Sequence, residues 1–127
     1  MGREELIALV ERYFASVDGE DFDGVAATLT EDCVFTVETH GIRNEGTEAI
    51  EAMFRRLWAD HKAVRHEDFT HVPAHEDGRI ASRFTVVNTL HDGSQVRKSN
   101  CNFFEVRDGA FSRVAVYMAG ENTLEAS

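Results

Sequence analysis

Three Asp-Gly pairs in the second half of the chain constrain its fold more than any other feature. Asp and Gly tolerate the positive backbone angles of tight hairpin turns, and the pairs are Asp77-Gly78, Asp92-Gly93 and Asp108-Gly109. They separate four predicted strands, at about Lys62–Glu76, Arg79–His91, Gln95–Arg107 and Ala110–Gly120. Strands usually have about 5–6 residues, so strands of this length predict a strongly twisted and bent sheet.

The first half of the chain has the spacing of helices that bury one face. A helix from Arg3 to Val17 is predicted by apolar residues on one side of it: Leu6, Val10, Tyr13 and Val17. Asp21 is predicted to cap a second, shorter helix. The alternation in CVFTVET then predicts a strand from Cys33 to Thr39.

A third helix is predicted after a polar loop from His40 to Gly46, with Thr47 as its cap. Its buried stripe consists of Ile50, Met53, Phe54, Leu57 and Trp58. Helices that precede an antiparallel meander are typical of an α+β domain in which the helices cover one face of the sheet. We therefore predict three helices packed on a bent, mainly antiparallel sheet, with an internal cavity where a ligand binds.

Length and charge limit the classes of partner. The 127 residues are sufficient for one domain, residues 1–127, in which only the tail after Asn122 is expected to be disordered. Lys and Arg number 13 against 23 Asp and Glu, and the formal charge of −10 argues against nucleic acid and anionic lipid as partners. No apolar run reaches the roughly 18 residues of a membrane span.

The two cysteines and the amino-terminal sequence favour the cytoplasm. Cys33 and Cys101 have no metal-like spacing and fit a reducing compartment as ordinary core residues, although a disulfide remains an alternative. The first ten residues, MGREELIALV, contain acids where a signal peptide is basic. We therefore expect a cytoplasmic protein.

The stretch from Val96 to Val106 brings amides into an apolar strand. Alternation places Asn100 and Asn102 on one face and Cys101 and Phe103 on the other. A buried amide without a partner costs on the order of 1–3 kcal/mol, so each amide requires a protein group, water or a ligand. Neighbouring side chains or ordered water are one alternative, and a ligand is the other.

The order of these elements resembles that of the nuclear transport factor 2-like superfamily, and within it the SnoaL-like proteins and bacterial ketosteroid isomerases. The segments that carry the resemblance, between about Leu6 and Leu124, are ERYFASVDGEDFDGVAATLTEDCVF, EGTEAIEAMF, NFFEVRDGAF and VYMAGEN. The resemblance implies a cone-shaped α+β fold with a pocket at its wide end. It also implies a homodimer formed through the outer face of the sheet.

The resemblance implies catalytic roles for three residues. In the ketosteroid isomerases a helical tyrosine and an acid on an inner strand form an oxyanion hole, and Tyr13 and Asn102 match these two positions. The catalytic aspartate of the isomerases aligns with Val37, and the adjacent Glu38 falls on the wrong face unless a bulge rotates it. His66, at a position where SnoaL-like relatives often carry histidine, is then the candidate for proton transfer, unless it is hydrogen-bonded within the sheet.

Asp68 shares the predicted face of His66 and is a candidate to orient its ring. The resemblance also implies ligand contacts for Val37, Phe84, Val86, Asn88 and Tyr117, and the alternation of its strand adds Asn100. No metal is predicted, because His66 and His71 face opposite ways on a regular strand and His71 and His75 lie about 13 Å apart. The outer face is predicted to hold apolar and mixed residues and to form the dimer interface: Arg83, Thr85, Val87, Cys101, Phe103, Val114, Val116 and Met118.

Two functions remain open from the sequence. The first is a cofactor-free isomerase, cyclase or dehydratase that acts on a small, mostly apolar carbonyl compound, with Tyr13 and Asn102 polarising the carbonyl and His66 moving the proton. The second is a non-catalytic homodimer that binds a small hydrophobic molecule or serves only for association.

Overall fold

A computed structural model of the chain describes residues 1–122 and 124. Over these residues the chain forms three α-helices and six β-strands. They are α1 (Arg3–Asp18), α2 (Phe22–Ala26), β1 (Leu29–Val37), β2 (Ile42–Glu45), α3 (Gly46–Asp60), β3 (Ala63–Ala74), β4 (Arg79–Thr89), β5 (Gln95–Arg107) and β6 (Ala110–Tyr117). The tail expected to be disordered lies largely outside the described residues.

The strands form one sheet in the order β2-β1-β6-β5-β4-β3. Neighbouring strands are antiparallel except β1 and β6, which pair in parallel, with Phe35 opposite Val114. The predicted α+β class, with helices on a bent and mainly antiparallel sheet, is confirmed. The four long strands and the Asp-Gly turns between them are also confirmed, and both Asp108 and Gly109 have the positive φ angles, 53° and 80°, of a tight hairpin turn.

The helices pack on one face of the sheet and enclose the core with it. The predicted stripe of α3 is buried, and the indole Nε1–H of Trp58 donates a hydrogen bond of 3.0 Å to the carbonyl of Val17 in α1. The ring of Tyr13 packs edge-on against Phe104 of β5, with 5.6 Å between centroids. Tyr13 is 2% exposed and Phe104 fully buried, so this contact joins the first helix to the centre of the sheet.

Three predicted boundaries were wrong. The segment from His40 to Gly46, predicted as a loop, contains β2, which pairs with β1 and adds one strand at the edge of the sheet. Thr47 is not the cap of α3, because the helix begins at Gly46 and Glu45 occupies the N-cap position. The predicted strand from Cys33 to Thr39 begins earlier, at Leu29, and ends at Val37.

The predicted orientation of β6 was also wrong, and a bulge explains the error. Val106 pairs with Phe111, but Glu105 pairs with Arg113, so Ser112 is an extra residue in β6. One extra residue reverses the alternation of every side chain beyond it. Val114, Val116 and Met118, predicted on the outer face, are therefore buried.

Tyr117, predicted to face the pocket, instead lies on the outer face and is 47% exposed. Its backbone pairs with Cys101, which is on the outer face of β5, while Val116 pairs with the inward Asn102. Tyr117 is therefore not a ligand-binding candidate.

Candidate functional site

A cavity lies between the helices and the inner face of the sheet. Seven of the nine candidate site residues line it: Tyr13, His66, Phe84, Val86, Asn88, Asn100 and Asn102. The cavity measures about 40 Å³ where a water-sized sphere can stand, and about 430 Å³ when the space around it and its open mouth are included. Since one water molecule requires roughly 10–15 Å³ by the first measure, a ligand larger than a few waters would have to displace lining side chains.

Val37 is fully buried but is not among the residues that line the cavity. Phe35, two residues earlier on the same face of β1, lines it instead. Glu38 is exposed in a short 3-10 turn after β1, and its Oε2 accepts a hydrogen bond of 3.3 Å from Arg113. Neither Val37 nor Glu38 therefore places a base in the cavity.

His66 is held by Asp18, the last residue of α1, and not by Asp68. Nδ1 of the His66 ring lies 2.5 Å from Oδ1 of Asp18, and the backbone N–H of His66 donates to Oδ2 of the same carboxylate at 2.8 Å. One carboxylate thus fixes both the backbone and the ring of His66. Because the carboxylate can only accept hydrogen bonds, the neutral ring carries its proton on Nδ1 and leaves Nε2 with a free lone pair.

Asp68 cannot orient His66, because the strand is irregular at this position. The pairing of β3 with β4 shifts between Glu67 and Thr70, and Asp68 has a φ of 57° and is exposed. Phe69, which follows Asp68, packs at 5.0 Å against Phe14. The bulge therefore turns the Asp68 carboxylate to solvent and brings an aromatic ring towards the core.

Two of the three asparagines that line the cavity have buried polar atoms without a hydrogen bond in the described part of the chain. Both side-chain atoms of Asn88 and the Oδ1 of Asn102 are in this state, with Asn88 1% and Asn102 3% exposed. Asn100 differs, because its Oδ1 accepts a 3.0 Å hydrogen bond from the backbone N–H of Ala119. Asn100 thus has a structural role, while Asn88 and Asn102 retain unused hydrogen-bonding capacity.

Tyr13 supplies a phenol that stays protonated. Burial raises the pKa of Tyr13 well above its ordinary value, and Cys33 and Asp18 raise it further. No hydrogen bond of the Tyr13 hydroxyl is found among the described residues. In this state the hydroxyl is a neutral hydrogen-bond donor at the wall of the cavity.

The polar groups are distributed along the cavity and do not converge on one point. His66 pairs with Val86 of β4, whereas Asn102 pairs with Ser82, four residues away on the same strand. On a flat sheet the two would lie roughly 13 Å apart along the strands and roughly 10 Å apart across them. Bending brings them nearer, but no hydrogen bond in the described chain links any two of Tyr13, His66 and Asn102.

Asn88 is the amide nearest to His66 by strand register. Asn88 pairs with Val64 and His66 with Val86, so the two are diagonal neighbours on adjacent strands. Diagonal neighbours on adjacent strands are about 7–8 Å apart, with their Cβ atoms somewhat closer, a distance that long or aromatic side chains can bridge. The cavity therefore has one polar end at His66 and Asn88 and another near Asn102, separated by the apolar Phe84 and Val86.

The segment after β6, described at residues 118–122 and 124, closes part of the cavity. Met118 and Leu124 are among the residues that line it. The ammonium of Lys98, on the inner face of β5, donates to the carbonyl of Glu121, and Asn100 holds Ala119 as described above. The central stretch of β5 thus secures the chain that covers the cavity.

Asp18 and the covering segment are functional candidates that the sequence reasoning missed. Asp18 is 48 residues from its partner in sequence. The available signal was an acidic residue at the end of a helix with no basic residue in its last turn, a position that the helix dipole disfavours. No periodic pattern marks Leu124.

The histidines do not form a metal centre. Within residues 1–122 and 124, no three His, Cys, Asp or Glu side chains are grouped to hold an ion. His71 instead shares a 2.8 Å hydrogen bond with the hydroxyl of Ser82.

Cys33 and Cys101 are both unpaired thiols. None of the described helices has the length and apolar character needed to span a membrane.

Solved structures with this architecture come from several bacteria. A candidate polyketide cyclase from Xanthomonas campestris pv. campestris has a TM-score of 0.84 at 24% identity, over 91% of this chain and 90% of its own. A candidate ketosteroid isomerase from Kribbella flavida has a TM-score of 0.72 at 22% identity, over 94% and 81%. An NTF2-like protein from Burkholderia xenovorans has a TM-score of 0.75 at 16% identity, over 94% and 92%.

These likenesses establish the NTF2-like fold and no activity. No curated protein matches the sequence. The sequence pattern of the SnoaL-like domain, however, matches residues 10–114, which is most of the chain. The protein belongs to the SnoaL-like domain family.

Proposed function

We propose that the protein is a cofactor-independent enzyme that transfers a proton on a small, uncharged, mostly apolar carbonyl compound, as an isomerase, cyclase or dehydratase. The observation that carries this proposal is the pair formed by His66 and Asp18 at the cavity wall, with 2.5 Å between Nδ1 and Oδ1. A carboxylate on one ring nitrogen holds the ring in place and leaves the other nitrogen for the substrate. The two free thiols support a site of action in the cytoplasm.

His66 removes a proton from a carbon that the carbonyl acidifies, and Asp18 stabilises the imidazolium that forms. The electrons released pass to the carbonyl oxygen, and an enolate there is stabilised by hydrogen-bond donors. Tyr13 is such a donor because burial keeps its phenol neutral. His66 then returns the proton to a second carbon of the product or to a leaving hydroxyl, so no external acid or redox cofactor is required.

The proposal is tested by hydrogen exchange, without knowledge of the natural substrate. Cyclohex-2-enone is incubated with the protein in D₂O. NMR then follows the loss of two proton signals, that of the CH₂ group next to the carbonyl and that of the CH₂ group next to the carbon–carbon double bond, at the γ position. Exchange above the buffer rate is expected for the wild type. In His66→Gln the rate of this exchange is expected to fall by at least about 10²-fold, the usual contribution of a general base.

Tyr13→Phe separates polarisation of the carbonyl from proton transfer. It keeps the ring and its packing against Phe104, removes only the hydroxyl, and is expected to slow exchange by about tenfold or more. Cys101→Ala serves as a control at a residue of the outer face that does not line the cavity. Wild-type exchange at the buffer rate, or full exchange in His66→Gln, would refute the catalytic proposal.

A non-catalytic, ligand-binding dimer is the second candidate. The outer face of the sheet exposes large apolar side chains, with Val72 64%, Phe103 39% and Tyr117 47% exposed. Val72, Ala81 and Phe103 form one row across three strands, since Val72 pairs with Ala81 and Ala81 with Phe103. Such a patch favours burial against another surface, and we propose a second copy of this chain as its partner.

A further inference from the structure

Asn88 retains two buried polar atoms that fold stability alone does not account for. The residue is 1% exposed, and neither its Oδ1 nor its Nδ2 has a hydrogen bond within the described chain. A buried, unpaired polar group lowers stability, and an apolar residue of similar size would avoid that loss. The neighbours of Asn88 across the sheet, Val64 on one side and Val96 on the other, provide only apolar side chains.

The position of Asn88 connects it with the proposed proton transfer. It lies at the cavity wall, diagonal to His66, whereas Asn102 is at the other end of the cavity. A ligand group that reaches Nε2 of His66 is therefore within reach of the Asn88 amide also. This inference rests on the proposed function for the role of His66, but not for the binding of the ligand.

An asparagine amide with both atoms unused offers a donor and an acceptor side by side. A ketone satisfies only the donor, because it has no hydrogen to give to Oδ1. A carboxamide, a lactam or a carbonyl with an adjacent hydroxyl satisfies both in one planar contact. A site built to hydrogen-bond two ligand groups discriminates against an analogue that lacks one of them, since a buried protein group is then left unpaired.

We propose that Asn88 selects ligands that carry a carbonyl oxygen together with a neighbouring N–H or O–H, and holds this group beside His66. The ligand class is thus a neutral carboxamide or hydroxy-carbonyl compound with an apolar remainder that packs on Phe84 and Val86. Both polar atoms of Asn88 are sealed in the wall, so binding requires the adjacent side chains to move slightly apart. Met118 and Leu124, in the segment that covers the cavity, line this space and are not held by the sheet ladder.

The test compares two ligands of equal size. Isobutyramide and 3-methylbutan-2-one have the same number of heavy atoms and differ only by an amino group in place of a methyl group. Their dissociation constants are measured by NMR titration on wild type, Asn88→Leu and Asn102→Leu. Asn102→Leu is the matched control, because it removes the other unpaired amide from the same cavity.

The wild type is expected to bind isobutyramide about 5- to 10-fold more tightly than the ketone, the value of one net hydrogen bond. Asn88→Leu is expected to abolish this preference, to a ratio near one, and to unfold at a higher denaturant concentration than the wild type. Asn102→Leu is expected to keep the preference. These three results together would support the role of Asn88.

An equal affinity for both ligands in the wild type would overturn the inference. So would a preference that survives in Asn88→Leu, one that is lost equally in Asn102→Leu, or failure of isobutyramide to bind to the wild type. Failure of the proposed function is distinguishable from these outcomes: the amide preference would persist, while exchange of cyclohex-2-enone remained at the buffer rate in every variant.

Discussion

The contact between Asp18 and His66 predicts opposite outcomes for two substitutions of one residue. Asp18→Ala removes the acceptor of two hydrogen bonds, from the backbone N–H and from Nδ1 of His66. A hydrogen bond to a charged group contributes about 1.5–3 kcal/mol, and the Asp18 side chain is 24% exposed, so water replaces part of the loss. We expect a destabilisation of about 2–3 kcal/mol, which for a chain of this size lowers the melting temperature by roughly 6–15 °C.

Asp18→Asn should instead preserve the fold and change the tautomer of the His66 ring. The amide oxygen can still accept from the backbone N–H of His66, while the amide nitrogen is placed against Nδ1 and can only donate to it. The neutral ring then has to accept at Nδ1 and carry its proton on Nε2. Stability is expected within about 1 kcal/mol of the wild type, but the lone pair that acts as base is lost.

The assay is ¹⁵N NMR of the histidine rings at alkaline pH, where protonated and unprotonated ring nitrogens have well-separated shifts. His66→Gln assigns the signals of this ring among the six histidines. The wild type should show the proton on Nδ1, and Asp18→Asn should show it on Nε2 with loss of exchange on cyclohex-2-enone. The same tautomer in both proteins, or unchanged stability in Asp18→Ala, would refute the role assigned to Asp18.

Two further predictions concern the thiols and the outer face. Burial, and to a smaller extent Asp32, raises the pKa of Cys33 to about 12, so its thiol is protonated at mildly alkaline pH. Cys33 should therefore escape Ellman's reagent in the folded protein but react with it in denaturant. Rapid reaction of two thiols in the native state would contradict this. If the outer face joins two copies, sedimentation at micromolar concentration should give about twice 14.3 kDa, and Phe103→Glu should give a monomer of unchanged secondary structure. A wild-type monomer would exclude this dimer.

The sequence predicted the faces of β4 and β5 because their alternation is unbroken. Phe84, Asn88, Asn100 and Asn102 all lie on the inner face, as a period of two requires. On β6 the resemblance placed Tyr117 on the inner face, and this was wrong, because no residue type at Ser112 marks the bulge that shifts the alternation. Local periodicity therefore predicted every long strand, but an insertion of one residue was sufficient to invert part of one.

The site was harder to predict because its partners are remote in sequence. Nothing in the pattern around His66 indicates that Asp18 will reach it, and the nearer Asp68 was the wrong choice because the bulge in β3 turns it outward. The resemblance to ketosteroid isomerases and SnoaL-like proteins identified Tyr13, His66 and Asn102, and all three line the cavity. Their separation within the cavity depends on strand register, which only the three-dimensional structure supplies.

The position of β6 between β1 and β5 determines when the sheet can form during synthesis. β1 pairs with β6 across a large part of the chain, for example Leu29 with Phe111, while β3, β4 and β5 pair with near neighbours. Until the last strand emerges, the β1–β2 hairpin and the β3–β5 meander each have an unpaired edge that can join another chain. Nascent chains that stop before Tyr117 are thus the form of this protein most prone to aggregate, and full-length folding should be limited by this late, non-local pairing.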